Sequence, residues 1–429
     1  MRIMGKTFQE WNPEQSQMFP ATPLDMVERG DLVHVIRNLV TQQLDLSQIM
    51  EQYREERGQP PFHPQMMTAL LLYGYCVGIY SSRRIARACR QRVDFMALLG
   101  MQKPDFRTIN LFRKRHLKAL GGLFGQVLTL CAKAGLVKLG HVALDGTKIR
   151  ANASKHKAMS YKKMKKAEVD LAAQVKAWFE EAERQDQEED QLYGADNSGD
   201  ELPAWVADKQ ELLKRLRQAK AELEAEAKAK AEAAADPKRT SHKAKPTGIP
   251  EDKSQRNFTD PESRIMKSAD GFIQGYNAQA AVDGHSQVIV AQTLTNNAGD
   301  VNELIGLLEQ IKKNLGRQAK EVSADSGYCS DQNLMELVRR HIRGYISTAR
   351  HDTHRTVRER VQQMRARIKR GGWRSRYRLR KQIVEPVFGQ IKSARGFRQF
   401  LLRGQQKVAS EWSLLCTAHN LLKLAAAWE

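Results

Sequence analysis

Apolar positions along this chain change period several times. Over residues 31–134 they recur at helical spacing, with Val33, Ile36 and Val40 three and four apart. Pro61 and Pro64 bracket a break, after which residues 66–80 are apolar enough for a mostly buried helix. Ser81-Ser-Arg-Arg-Ile predicts a helix with a Ser cap. Gly100 and Pro104 punctuate, and Thr108 is expected to cap a helix bearing Arg113, Lys114 and Arg115. His141-Val-Ala-Leu-Asp145-Gly-Thr is then the first clear strand, a short apolar run ending in a turn. Helical spacing returns at Leu171, Val175, Trp178 and Ala182. It returns again at Leu212, Leu216, Ala219 and Leu223, beyond an acidic link containing Gly194 and residues 197–200. These two stretches predict an antiparallel helical hairpin, followed by an Ala/Glu/Lys tail (221–235) and a polar linker (236–255).

Strand character resumes at Gly275. Residues 276–282 and 287–294 flank Asp283-Gly284, a hairpin turn signal. Asp300 is expected to cap a helix over 301–315. Residues 321–325 form the next strand, 334–342 a helix, and Tyr345-Ile-Ser a short strand. An arginine-rich segment, a helix around Glu385 and a last helix over 406–428 complete the chain. This order predicts an α/β fold: a mixed sheet with helices. The expected domains are a helical one over 1–135, opening with an irregular arm (1–25), and an α/β one over 136–429 interrupted by the 160–255 insertion.

Charge narrows the class of partner. The chain has 429 residues and a formal net charge of +21, which favours nucleic acid first and a membrane surface second. Over residues 350–381, 13 Lys or Arg face only Asp352 and Glu359, a local net of +11. The short N-terminal helices with a basic one at the end suit a helix-turn-helix reader of DNA, or equally a small bundle. Five Cys without a Cys-x-x-Cys pair indicate neither a zinc site nor a disulfide framework. With no signal pattern and no apolar run long enough to span a bilayer, a soluble intracellular protein is expected.

Three acids stand out. Asp145 and Asp325 each end an apolar strand. Glu385 is set among Ile383, Val384, Val387 and Phe388, with Lys392 seven residues on, two helical turns away on the same face and about 10 Å distant. Pro386 places Glu385 at a helix start or a kink, where an acid also serves as a cap. Carboxylates that converge need a cation to offset their repulsion. Three of them suit two Mg²⁺ ions, the arrangement that cleaves phosphodiesters. Asp270, Asp283 and Asp300 read as turn or cap residues, and His351 and His354 as phosphate contacts in the cationic segment.

Leu-Asp145-Gly-Thr-Lys-Ile, Ala-Asp325-Ser-Gly-Tyr and Val-Glu385-Pro-Val-Phe-Gly-Gln-Ile-Lys392 together resemble the three motifs of bacterial insertion-sequence transposases of the DDE class. Pro61-Phe-His-Pro, Leu71-Leu-Tyr-Gly-Tyr and Ser81-Ser-Arg-Arg-Ile resemble their N-terminal domain. Asp260-Pro-Glu-Ser-Arg-Ile-Met-Lys267 and Gly275-Tyr-Asn-Ala-Gln also fit. The resemblance covers most of the chain outside the helical insertion. It implies a ribonuclease-H-like core in which Asp145, Asp325 and Glu385 bind two Mg²⁺ ions, Mn²⁺ substituting, and catalyse cleavage and strand transfer. It implies double-stranded DNA as partner, as terminal inverted repeats and target, with no membrane and no small-molecule substrate. It further implies a homodimer in the bacterial cytoplasm, associated with the nucleoid. Many relatives carry a Tyr-Arg-Glu-Lys signature. Lys392 matches its Lys, Lys381 stands at its Arg position and Arg378 at its Tyr position, with Tyr377 one residue off. The expected DNA contacts are Lys392, Lys381, Arg378, Arg83, Arg84, Arg113 and Lys114. The alternative is a catalytically inactive DNA-binding protein derived from such an enzyme. Some relatives carry a large insertion between the second Asp and the Glu; here the large insertion follows the first Asp.

Overall fold

A single strand, His141–Arg150 (β1), sets the architecture of the larger of two units. Its first half reads Val142-Ala-Leu144, fully buried, as a strand covered on both faces must be. The chain is described from a computed structural model over residues 22–53, 60–193, 204–234, 247–268, 271–348 and 359–428. Most of the expected N-terminal arm, the acidic link, most of the polar linker, Asp270, His351 and His354 lie outside these residues. The two units are Met1–Leu136 with Leu414–Glu429, and Val137–Ser413.

The first unit is helical. Its elements include α1 (Leu32–Asn38), α2 (Pro64–Cys76), α3 (Ser82–Gln91), α4 (Val93–Leu99), α5 (Phe106–Arg115) and α6 (Leu117–Lys133). Asp31 caps α1 by accepting from the Val33 amide at 2.8 Å. α2 is buried along nearly its whole length, as its apolar run predicts. Gly100, in the left-handed region, ends α4. The expected Thr108 cap is corrected: the cap lies three residues earlier, where Asp105 accepts from the Arg107 and Thr108 amides. The Asp carboxylate adds charge to the hydrogen bond at the positive helix end, so it takes the cap, and Thr108 donates its hydroxyl to it at 2.9 Å. Cys76 and Cys131 donate to the Ala418 and Asn420 carbonyls of the last helix. All five cysteines are buried free thiols.

The second unit is built on a six-stranded mixed sheet. Its order is β4 (Arg264–Ser268), β5 (Gly271–Asp283), β1, β7 (Glu321–Ala324), β8 (Arg343–Ile346), with β6 (Ile289–Thr295) also on β5. β1 is antiparallel to β5 and parallel to β7, and β7 is parallel to β8. The parallel pairs are joined through helices, as they must be: α9 (Glu303–Leu315) precedes β7 and α10 (Asp331–Arg339) precedes β8. A basic helix, α11 (Glu359–Gly371), follows β8 and buries Val361 and Met364. The β5–β6 hairpin turns at Asp283-Gly284, as predicted. The Asp283 carboxylate is buried and accepts from the Leu139 and His285 amides.

Between β1 and β4 lies the insertion. α7 (Tyr161–Tyr193) and α8 (Ala204–Ala234) are the two predicted helices, rooted on a two-stranded ladder of β2 (Ala158–Ser160) and β3 (Gln255–Asn257). The buried stripe of α8 is Leu213, Leu216, Ala219 and Leu223, the last three packed with Tyr161 and Met164. Leu212, assigned to that stripe by spacing alone, is 48% exposed; the helix turns about 100° per residue, and Leu213 faces inward in its place. Arg256, itself buried, pairs with Glu226 at 2.6 Å, and Arg264 grips Glu226 as well. Among the described residues no helix is long and apolar enough to cross a membrane.

Candidate active site

β1 and β7 pair with His141 opposite Glu321, Val142 opposite Val322 and Ala143 opposite Ser323. Continued two places, this register sets Asp145 level with Asp325, where alternation turns both toward one face. The third acid comes from a helix on that face, α12 (Leu379–Gly389). Ile383, Val384, Val387 and Phe388 are its buried positions, so Glu385 points outward and is half exposed. Phe388 stacks on the buried Trp412, whose indole N–H donates to the Gln279 carbonyl of β5 at 3.1 Å. The helix carrying Glu385 is thereby anchored on the strand beside Asp145.

Glu385 is not at a helix start. It is the seventh residue of α12, and Pro386 lies inside the helix. Proline has no N–H for the carbonyl four residues back, that of Gln382. Gln287 Nε2 donates to that carbonyl at 3.0 Å, so a side chain from the β5–β6 connection replaces the missing helical bond. The helix then runs into a π-turn, Gln390–Ala394, carrying Lys392. Lys392 Nζ donates to Thr147 Oγ1 at 3.1 Å, and Thr147 lies two places after Asp145 on the same side of β1.

A residue that sequence reasoning missed joins two of the acids. Arg380 Nη1 lies 2.8 Å from Asp145 Oδ2, and its Nη2 lies 3.3 Å from Glu385 Oε1. Burial pushes the Asp145 carboxyl up to about 6; the Arg380 guanidinium and the Gly146 amide pull it down, while Asp325 and Asp300 push it further up.

Asp300 is the second correction. α9 begins at Glu303 with Asn302 in the cap position, and the Asp300 carboxylate turns to the sheet. It accepts from Asn277 Nδ2 at 2.7 Å, Gln279 Nε2 at 2.7 Å and Lys148 Nζ at 3.1 Å. Three donors from two strands outweigh the local cap. Tyr328 donates to Gln279 Oε1 from the same cluster, and burial with the surrounding carboxylates raises its hydroxyl well above the usual tyrosine range. Gly146 lies where a Cβ would collide with the side-chain ends of Gln279, Asn277 and Asp300, so any side chain there forces that hydrogen-bonded cluster to shift.

A Ser323–His141–Glu321 relay also exists. His141 Nε2 and Ser323 Oγ are 2.9 Å apart, and His141 Nδ1 and Glu321 Oε2 are 3.1 Å apart. Ser323 is fully buried and His141 nearly so, which suits a strand-to-strand bond and not a nucleophile.

The remaining residues expected to touch DNA separate clearly. Arg83 and Arg84 are exposed on α3, with Arg83 stacked over Phe106 at 5.2 Å. Arg83, Arg87, Arg90, Gln91 and Phe106 line a groove of about 440 Å³. Lys114, Lys381 and Arg378 are exposed. Arg113 is not available for DNA: it is 5% exposed, and its guanidinium donates to the Tyr80 carbonyl at 3.0 Å and to Ser82 Oγ at 3.3 Å.

Among the described residues no three His, Cys, Asp or Glu side chains gather closely enough to hold a metal ion as they stand. The donor chemistry nevertheless fits a hard divalent cation, being all carboxylate oxygen, with one acid, Asp145, whose carboxyl is raised chiefly by burial. A guanidinium occupies the point between two of them.

A family model described as Transposase DDE domain matches residues 238–421, and one described as Transposase domain (DUF772) matches residues 22–115. The first match includes Asp325 and Glu385, while Asp145 lies before it on the far side of the insertion. No curated protein and no solved structure matches the chain.

Proposed function

This chain belongs to the DDE-type insertion-sequence transposases, and from that premise we propose that it cleaves DNA at the terminal repeats of a mobile element and joins the freed ends to target DNA. The catalytic unit is read as ribonuclease-H-like, with an all-α N-terminal domain and an inserted helical hairpin. The support is the strand order around β1, with Asp145 on that strand, Asp325 at the end of the adjacent β7 and Glu385 on α12. Asp145, Asp325 and Glu385 are the residues that would hold two Mg²⁺ ions, or Mn²⁺ in their place. The chemistry such ions supply is a water made nucleophilic near neutral pH and charge relief on the leaving oxygen.

The chain's own residues do the rest. Water attacks the scissile phosphorus, the bond to the 3′ oxygen breaks, and that oxygen leaves as a 3′-hydroxyl. The 3′-hydroxyl then attacks a phosphorus of target DNA, forming a new phosphodiester as the target strand's own bond from that phosphorus to its 3′ oxygen breaks and that oxygen takes up the proton. Lys392, moored on Thr147 beside Asp145, is placed to grip a backbone phosphate next to the reacting one. Lys381 and Arg378 extend that cationic edge, and the α3 groove with Arg83 and Arg84 takes the repeat, with Lys114 as a further phosphate contact.

The observation that carries this reading is the meeting of Asp145 and Glu385 on one guanidinium, with Asp325, just past the end of β7, near enough for its charge to raise Asp145. The test is DNA bearing the repeats that flank the coding region, incubated with wild-type protein or Glu385→Gln, with Mg²⁺ or EDTA, and mapped for breaks. Metal-dependent cuts at the repeat ends, lost in Glu385→Gln, are expected. Binding without cuts under every condition would point to a DNA-binding protein that has lost catalysis.

A further inference from the structure

The acid site already contains a cation of its own. Arg380 is 12% exposed, and both of its hydrogen bonds go to carboxylates of the site, Asp145 and Glu385. Neither goes to the backbone, and its Nε is buried without a hydrogen-bond partner. Among the described residues the guanidinium is hydrogen-bonded by these two acids alone, on a helix edge that also carries the exposed Lys381.

Asp145 Oδ2 and Glu385 Oε1 meet at the guanidinium, between two of the acids that would hold a divalent ion. Two cations at one point repel strongly in a partly buried site. We infer that Arg380 is a positioning residue of this site: in the cation-free protein it holds Asp145 and Glu385 to one point, and it yields that point to the divalent ion. The inference rests on the reading of these acids as cation ligands. Its benefit to the fold is that a buried carboxylate never stands uncompensated. Its benefit to the reaction is that the acids wait already gathered. A DNA phosphate arriving at the site offers the displaced guanidinium a bidentate partner, so cation and DNA each make room for the other.

The test measures Mn²⁺ binding to the full chain by the loss of the free-ion paramagnetic resonance signal, at pH 8 and without DNA, so that turnover plays no part. Wild type, Arg380→Met, Arg380→Gln and Asp325→Asn are compared, each with its melting curve recorded to confirm folding. Wild type binds, Asp325→Asn loses binding, and both Arg380 variants bind about tenfold tighter, the scale of one competing charge removed. Adding repeat-end duplex tightens binding in wild type and leaves the Arg380 variants unchanged. Equal or weaker binding in both folded Arg380 variants, with Asp325→Asn still defective, overturns the inference and leaves the acid site standing. Binding that Asp325→Asn does not disturb removes the acid site, and the role of Arg380 with it.

Discussion

Gln287 Nε2 lies 3.0 Å from the carbonyl of Gln382, the acceptor that Pro386 leaves without a partner in the helix bearing Glu385. The bond joins the β5–β6 connection to α12 and fixes the helix at the point where its own ladder is broken. Gln287 holds a positive φ of 58° to make the reach. Gln287→Ala is expected to cost about 1 kcal/mol in chemical denaturation. In a Pro386→Ala background the cost should shrink, because the new amide at 386 takes the Gln382 carbonyl. Strictly additive costs in the double-mutant cycle would deny the substitution of one bond for the other.

Arg113 and its exposed neighbours should separate stability from DNA affinity. Arg113→Ala leaves the Tyr80 carbonyl and the Ser82 hydroxyl without their donor and is expected to destabilise the helical unit by about 2 kcal/mol. Arg83→Ala with Arg84→Ala should leave the melting temperature nearly unchanged. That pair should weaken binding to repeat DNA and lower the salt slope by about one for each phosphate no longer gripped. Fluorescence anisotropy across a salt series, beside thermal melts, distinguishes the two.

Gly146→Ala places a methyl against Gln279, Asn277 and Asp300. Overpacking of this kind costs about 1–3 kcal/mol. Because the residue adjoins Asp145, cleavage should fall more than the lowered stability alone explains, at a temperature where the variant is still folded.

Glu336 offers a test by pH. Hydrogen bonds from Arg339 and then Arg340 pull its carboxyl down to about 2. A carboxyl lowered in the folded state stabilises above its unfolded pKa, and the contribution is lost as pH falls through the folded one. Glu336→Gln should therefore unfold at lower denaturant than wild type at pH 7. The gap should close between about pH 4.5 and 2. A gap that persists at pH 2 would assign the effect to shape and not charge.

What could be read from the sequence was what depends on local period. The strand before Asp325 and the hairpin turn at Asp283-Gly284 stand where that pattern puts them. β1 does not end at Asp145 as expected: it runs on to Arg150, because β5 pairs with it over that whole length. Edge strand β4 and the β2–β3 ladder were not legible, because they are short, mixed in polarity and acquire strand form only by pairing with a partner elsewhere in the chain. Choices among adjacent residues were also hidden. Arg380 and Lys381, or Arg113 and Lys114, differ by one step of a helix, and the packing of the whole unit decides which of each pair turns inward. Asp300 shows the same limit: a carboxylate just before a helix looks like a cap until Lys148, Asn277 and Gln279 arrive from elsewhere.

The ladder of β2 and β3 brings Ala158 opposite Asn257 and Ser160 opposite Gln255, so the chain departs from the catalytic unit and returns to it through one narrow doorway. Whatever is threaded between those points leaves the order of strands around Asp145 untouched. The stretch is expected to behave as an exchangeable cassette beyond its root, where Glu226 is tied to Arg256 and to Arg264 of β4: changing the length of the helices past that anchor should leave the sheet in register. The same property explains how the first acid can be separated from the other two by so much chain and still meet them.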